Sequence, residues 1–143
     1  MAAKPPAIGG ILETAVYVDD REAAHAFYSG VLGLERMVKG DRLDAYDAGP
    51  GETLLVFQRG ATADDIETPG GMIPGHHCEG PSHFSFKIAQ VDLDAWRTYL
   101  PEAGVAILSE VTWPAGGTSL YFNDPDGNVL EMAAPPLWPN FNG

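Results

Sequence analysis

The chain is poor in cysteine, in basic residues and in long apolar runs. One cysteine, Cys78, in 143 residues excludes an internal disulfide framework and fits a reducing compartment. Eight Lys and Arg face twenty Asp and Glu, for a formal net charge of −12, and no stretch concentrates the positive charge. That balance argues against nucleic acid as a partner, because phosphate contacts need clustered basic side chains. No apolar run approaches the ~20 residues that span a bilayer. The opening residues, Met1-Ala2-Ala3-Lys4-Pro5-Pro6, lack the apolar core of a secretory signal. The expectation is a cytoplasmic protein with no membrane partner.

What is present is a folding composition: 45% apolar and 10% aromatic residues, enough for one domain over 1–143 with a sizeable core. Two segments of that domain follow one plan. Residues 11–18 alternate as a strand and end in Asp19-Asp20, a helix cap. From Arg21 to Leu32, the residues Ala24, Phe27, Tyr28, Val31 and Leu32 form the stripe of an amphipathic helix, and Gly33 stands where that helix should stop. Strands are predicted at 34–39, 42–48 and 53–58. The order then repeats: strand 82–89, a helix over 91–102 with Val91, Ala95, Trp96, Tyr99 and Leu100 on one stripe, a stop at Gly104, and strands 105–111, 117–123 and 128–133. Residues 59–81, rich in Gly and Pro, read as a long linker. The fold class is therefore α+β, with module one at about 11–58 and module two at about 82–134. The tail from Pro135 carries Leu137, Trp138 and Phe141, able to pack on something.

Three polar residues fall at matched places in this plan. Glu13 and His83 sit at the same point of the two opening strands, and Glu131 lies on the last strand. Carboxylate oxygen and imidazole nitrogen together suit a divalent cation that keeps open positions for water or substrate. Each also has a plainer reading: a strand histidine is usually a hydrogen-bonded structural residue, and strand carboxylates often face water. His76-His77-Cys78 invites a metal reading, but adjacent residues rarely point at one ion, so an exposed or lid role is favoured. His25, off the apolar stripe, reads as surface. Trp113, in Thr112-Trp113-Pro114-Ala115-Gly116-Gly117, can wall a pocket or simply pack.

The most specific local signal runs from Ser119 to Glu131, where a strand enters the tight turn Asp124-Pro125-Asp126-Gly127 and leaves as another strand. With Val16-Tyr17-Val18-Asp19-Asp20, Phe27-Tyr28, Val31-Leu32-Gly33-Leu34 and His83-Phe84-Ser85-Phe86, it resembles the vicinal oxygen chelate superfamily. Glyoxalase I, extradiol dioxygenases, fosfomycin-resistance transferases and bleomycin-binding proteins belong to it. The resemblance spans roughly residues 11–134 and implies two βαβββ modules whose sheets form a cup around a divalent metal (Zn, Ni, Mn or Fe). It assigns His83, Glu131 and Glu13 as ligands. Gln58, or Val56, falls near the fourth ligand position, and Tyr121 at a substrate-binding position ten residues before Glu131. It implies an enzyme that chelates a small vicinal-oxygen substrate and stabilises an enediolate or alkoxide, with Glu13 or Glu131 carrying the proton, commonly as a homodimer.

Departures narrow this reading. The residue ten before Tyr121 is Val111, and no Lys or Arg follows Glu131, which disfavours a highly anionic substrate. Two carboxylates and one histidine reverse the extradiol set of two histidines and one carboxylate. The alternative from another class is a metal-free cup that sequesters a cationic drug, as bleomycin-binding members do.

Overall fold

The computed structural model describes residues 4–141. Alternation builds β1 (Glu13–Val18): Val16 and Val18 are buried on one face, while Ala15 and Tyr17 stand on the other. The Asp20 carboxylate then caps α1 (Arg21–His25), accepting from the amides of Glu22 and Ala23 at 3.0 and 3.1 Å. Beyond His25 the helix widens into a π-helical stretch, Ala26–Val31. Its wide turn, with the Leu32 amide bonded to the Phe27 carbonyl, carries the adjacent residues Phe27 and Tyr28 both into the core. The chain leaves through Gly33 at φ +76°, a left-handed residue that costs little only for glycine.

Module one is completed by β2 (Arg36–Lys39), β3 (Leu43–Gly49) and β4 (Glu52–Gln58), in the sheet order β1-β4-β3-β2 with β1 and β4 parallel. Module two repeats it. β7 (His83–Lys87), a 3-10 turn (Gln90–Asp92), α2 (Leu93–Glu102), β8 (Ser109–Thr112), β9 (Thr118–Asn123) and β10 (Val129–Ala134) give the order β7-β10-β9-β8, with β7 and β10 parallel. Gly104, at φ +85°, ends α2 as Gly33 ends the first helix. The predicted α+β class with two βαβββ modules is the observed architecture.

Both sheets turn one face to a shared core. Val16, Val18, Tyr46, Leu54 and Val56 from the first sheet meet Leu120, Phe122, Leu130 and Met132 from the second, with Phe27, Tyr28 and Leu100 from the helices among them. Each fully buried aliphatic side chain contributes roughly 1.5–3 kcal/mol. A polar tie joins the modules: the Tyr28 hydroxyl donates to Asp124 at 2.7 Å. Asp124 in turn accepts from the Asn128 side chain and backbone, fixing the tight turn before β10. Burial first, then the charge of Asp124, drives the Tyr28 phenol far above its ordinary range. Among the described residues, no helix is long and apolar enough to cross a membrane.

Five expectations change, the first being that Val91, Ala95 and Tyr99 of the second helical stripe are exposed while Leu100 is fully buried. The stretch 59–81 is not a featureless linker; it holds a short hairpin, β5 (Ile66–Thr68) with β6 (Gly71–Ile73). The strand expected from residue 105 begins at Ser109. His25 is half-buried, stacked on Tyr46 and hydrogen-bonded to its hydroxyl at 2.9 Å. His76 is also half-buried, bonded through Nδ1 to the Tyr17 hydroxyl and set edge-on against Phe57.

Candidate metal centre

The outward faces of the two sheets are where polar side chains gather. On β7 the alternation puts His83, Ser85 and Lys87 on this face, all exposed, while Phe84 and Phe86 turn inward. On β10 the same face carries Glu131, which pairs with Ser85 on one side and Tyr121 of β9 on the other. His83 pairs with Val129, so it lies diagonally beside Glu131. The result is an imidazole Nε2 3.4 Å from Glu131 Oε1.

Both side chains are oriented by partners that leave one donor atom free. His83 Nδ1 lies 2.8 Å from the Val129 carbonyl oxygen. A carbonyl only accepts, so Nδ1 donates here, and in a neutral imidazole the lone pair then lies on Nε2. Glu131 is buried, and its Oε2 accepts from the Ser119 hydroxyl. Ser119 itself accepts from the Trp113 indole at 2.8 Å. This Trp113–Ser119–Glu131 chain holds Oε1 toward His83, the kind of outer support that metal-binding carboxylates use. Two donors each about 2.1 Å from one ion, at a tetrahedral angle, lie about 3.4 Å apart. The separation of the pair is thus one that two ligands of a divalent cation can have.

Around the pair is a cavity of about 380 Å³, within the range of small-molecule sites. Tyr121 lies along one side, its ring stacked at 29° to that of His83 with centroids 6.2 Å apart. Burial first, then the charge of Glu131, raises its phenol above the ordinary tyrosine range. Trp113, Leu137, Trp138 and Phe141 supply an apolar wall. Ser119 was not among the residues singled out from sequence. Its signal was there in the strand spacing, since Ser119 and Tyr121 share a face, but a lone strand serine carries no chemistry until its register with Glu131 is known.

Glu13 stands elsewhere. It is exposed at the start of β1 and lines a neighbouring cavity with Leu12, Glu52 and Thr53, one that Ser85 and Lys87 of β7 also border. Among the described residues, no three His, Cys, Asp or Glu side chains come together as a metal cage. Within one chain, then, the structure joins His83, Glu131, Tyr121 and Trp113 and leaves Glu13 apart. The Gln58 amide donates to the Asp19 carbonyl at 3.0 Å, tying β4 to the loop after β1, and Val56 is buried in the core. The register Glu13↔Thr53 matches His83↔Val129, which makes Leu55 the module-one counterpart of Glu131.

The chain belongs to the glyoxalase/bleomycin resistance protein/dioxygenase superfamily, whose family model matches residues 10–132. It is similar in structure to a lactoylglutathione lyase from Agrobacterium tumefaciens, with 35% identity and a TM-score of 0.84 over 95% of this chain and 99% of that one. It is 28% identical over 127 residues to the metallothiol transferase FosB of Shouchella clausii, covering 87% of this chain and 80% of that protein. The fosfomycin resistance protein FosX of Mesorhizobium loti, 21% identical with a TM-score of 0.62, shares the fold over 92% of this chain and 96% of its own.

Proposed function

We propose that this member of the superfamily is a metal-dependent enzyme acting on a small substrate with two neighbouring oxygens. The observation that carries the reading is the His83–Glu131 pair: two donors 3.4 Å apart, each with its other polar atom already committed, at the edge of a small-molecule cavity. Zn, Ni, Mn or Fe suits such a set. A divalent ion held there supplies Lewis acidity toward a substrate oxygen.

The chain's own residues supply the rest. Glu131, buried and fixed by Ser119, acts as a ligand whose position does not change. Glu13, exposed and unrestrained, is the better proton carrier, because a base must move between substrate and product positions. Tyr121 keeps its proton at neutral pH, since burial and the Glu131 charge both raise its pKa. Its hydroxyl donates to the oxygen on which negative charge develops. Trp113 both orients Ser119 and shields the pocket from water.

Glu13 reaches such a site from a second copy of the chain. β1 and β7 are edge strands, each with one unpaired side. Next to β1, Ile8, Ile11 and Leu12 are 91%, 82% and 70% exposed. An open edge flanked by exposed aliphatic residues is a surface that proteins cover. A homodimer in which the two edges meet satisfies both strands and brings β1 of one copy beside the cup of the other.

The direct test is the metal content of protein purified without added metal, beside Glu13→Ala, His83→Ala and Glu131→Gln. The expected result is about one divalent ion per chain in wild type, with little retained in any of the three variants. Metal-free wild type whose melting temperature ignores added divalent ions would sink the enzyme reading and favour a metal-free binding cup.

A further inference from the structure

Lys87 is the unused charge of the cup. The chain is strongly acidic, and its arginines are largely consumed in pairing. Arg21 and Arg36 meet Asp44, Arg59 meets Asp19, and Arg97 meets Asp94 and Glu110. Lys87 pairs with no carboxylate among the described residues, yet it lines the cavity that holds His83 and Glu131. It is the only Lys or Arg among the described residues to do so. It shares the outward face of β7 with His83 and Ser85 and pairs with Ala133 of β10, two residues beyond the Ser85–Glu131 pair. At about 3.3 Å per residue, its Cα stands roughly 7 Å along the strand from that pair.

Near this charge the cavity has an aromatic wall built by the tail. The Gly117 amide donates to the Pro136 carbonyl at 2.9 Å, and the Gln90 amide donates to the Pro135 carbonyl at 3.0 Å. Contact at Gly117 is so close that a β-carbon there would fall 2.4 Å from the Pro136 oxygen and 2.5 Å from the Ala134 oxygen. The tail's course thus depends on that glycine. It carries Leu137, Trp138 and Phe141 to the cavity beside Trp113, and leaves Trp138 72% exposed. A large aromatic side chain held by an anchored backbone, with its ring uncovered, is what a binding wall needs.

We infer that the cup takes a monocarboxylate with an aromatic or similarly flat apolar body. Its carboxylate pairs with Lys87, its body lies on Trp113, Trp138 and Phe141, and its remaining oxygens face His83 and Glu131. The last clause rests on the metal reading above; the first two do not. Lone Lys87 matches one negative charge, whereas a dianion would face Glu131 with half its charge unpaired. An ammonium in the cup also repels the cationic drugs that an acidic protein would otherwise attract.

The test is binding of three probes of one shape, phenylacetate, phenylacetamide and phenethylammonium, followed by quenching of tryptophan fluorescence in the purified protein. Wild type, Lys87→Met, Lys87→Arg and His83→Ala are compared, with circular dichroism confirming that each variant is folded. We expect phenylacetate to bind wild type about tenfold more tightly than the amide, as one charge-assisted hydrogen bond allows. Lys87→Met should lose that preference while binding the amide as wild type does, and Lys87→Arg should keep it. His83→Ala should keep it as well. A preference lost in His83→Ala and retained in Lys87→Met would place the carboxylate at the metal position, overturning this inference and leaving the proposed function standing. No saturable binding of phenylacetate, or tighter binding of the ammonium, would overturn it too. Absence of metal in wild type alongside a Lys87-dependent preference would instead support the subsite and count against the enzyme.

Discussion

The two modules share a plan and differ in what they do with it. Both have the strand order first-fourth-third-second, both end their helix at a left-handed glycine, and both bury a leucine at the same register of the fourth strand, Leu54 and Leu130. Their core faces are nearly interchangeable in kind. Their outward faces are not. Module two presents His83, Glu131, Tyr121 and Lys87 to a cavity, with Ser119 buried behind Glu131. Module one has Leu55 where Glu131 would be, and its Tyr17 and Phe57 are covered by His76 from the segment between modules. Of the three metal ligands proposed, it carries one, Glu13. A sheet separates the demands: one face must fill a core and stays apolar, while the other is free to gain or lose donors without cost to the fold.

If one module carries two donors and the other carries one, the sharpest way to break the comparison is to split them between chains. Glu13→Ala and His83→Ala are each expected to lack metal and activity. When the two proteins are mixed, unfolded and refolded together, a heterodimer has one site with both lesions and one with neither. Random pairing makes half the dimers hetero, so about a quarter of wild-type metal binding should return. If Glu13 instead served its own chain, every site would keep a lesion and nothing would return. Next in size is the shared core. Leu54→Ala and Leu130→Ala should each cost about 2–5 kcal/mol in urea unfolding. Because both residues belong to one cluster, each variant should show a single transition; two transitions in either would mean that the modules have separate cores.

The core faces were legible from sequence because periodicity is a local property. The alternation of Glu13–Val18 and His83–Lys87, the stripe of Ala24, Phe27 and Tyr28, and the stops at Gly33 and Gly104 all lie within a few residues of what they specify. The turn from Asp124 to Asn128 was legible for the same reason. The supports of the site were not. Ser119 reaches Glu131 only through the register of β9 on β10. Lys87 shares a cavity with the tail only because Gly117 lets the chain pass close. His76 finds Tyr17 across 59 residues, and no local pattern announces such a contact. The hairpin of β5 and β6 has three residues per strand, too few for alternation to register. Glu13 was visible as a matched position, but its separation from His83 and Glu131 was not, because that depends on how the two modules pack.

A smaller test concerns the polar tie between modules. Tyr28→Phe removes the hydroxyl that donates to Asp124, while Asn128 still bonds that carboxylate. The expected loss is about 1–2 kcal/mol, and hydrogen exchange should rise first in the turn from Asp124 to Asn128. Unchanged stability would mean that apolar contacts such as Phe27 on Phe122 hold the modules together unaided.

The smallest expected effect asks whether the two helix stops are physically the same device. Gly33 and Gly104 lie at φ +76° and +85°, and a β-carbon built on either meets nothing within 4 Å. Substitution by alanine therefore adds no clash, and the cost left is that of holding an L-residue in the left-handed region, about 1 kcal/mol. The two variants should lower the urea midpoint by equal amounts with unchanged m-values. Gly33→Asn and Gly104→Asn should recover part of the loss, since asparagine tolerates that region better. Gly33 has a reason to deviate, because the turn before it is a π-helix and that before Gly104 is regular. If Gly33→Ala cost clearly less than Gly104→Ala, the wide turn would be absorbing the strain by rewinding. Equal losses mean that the repeat extends to the energetics of its caps even though the turns before them differ.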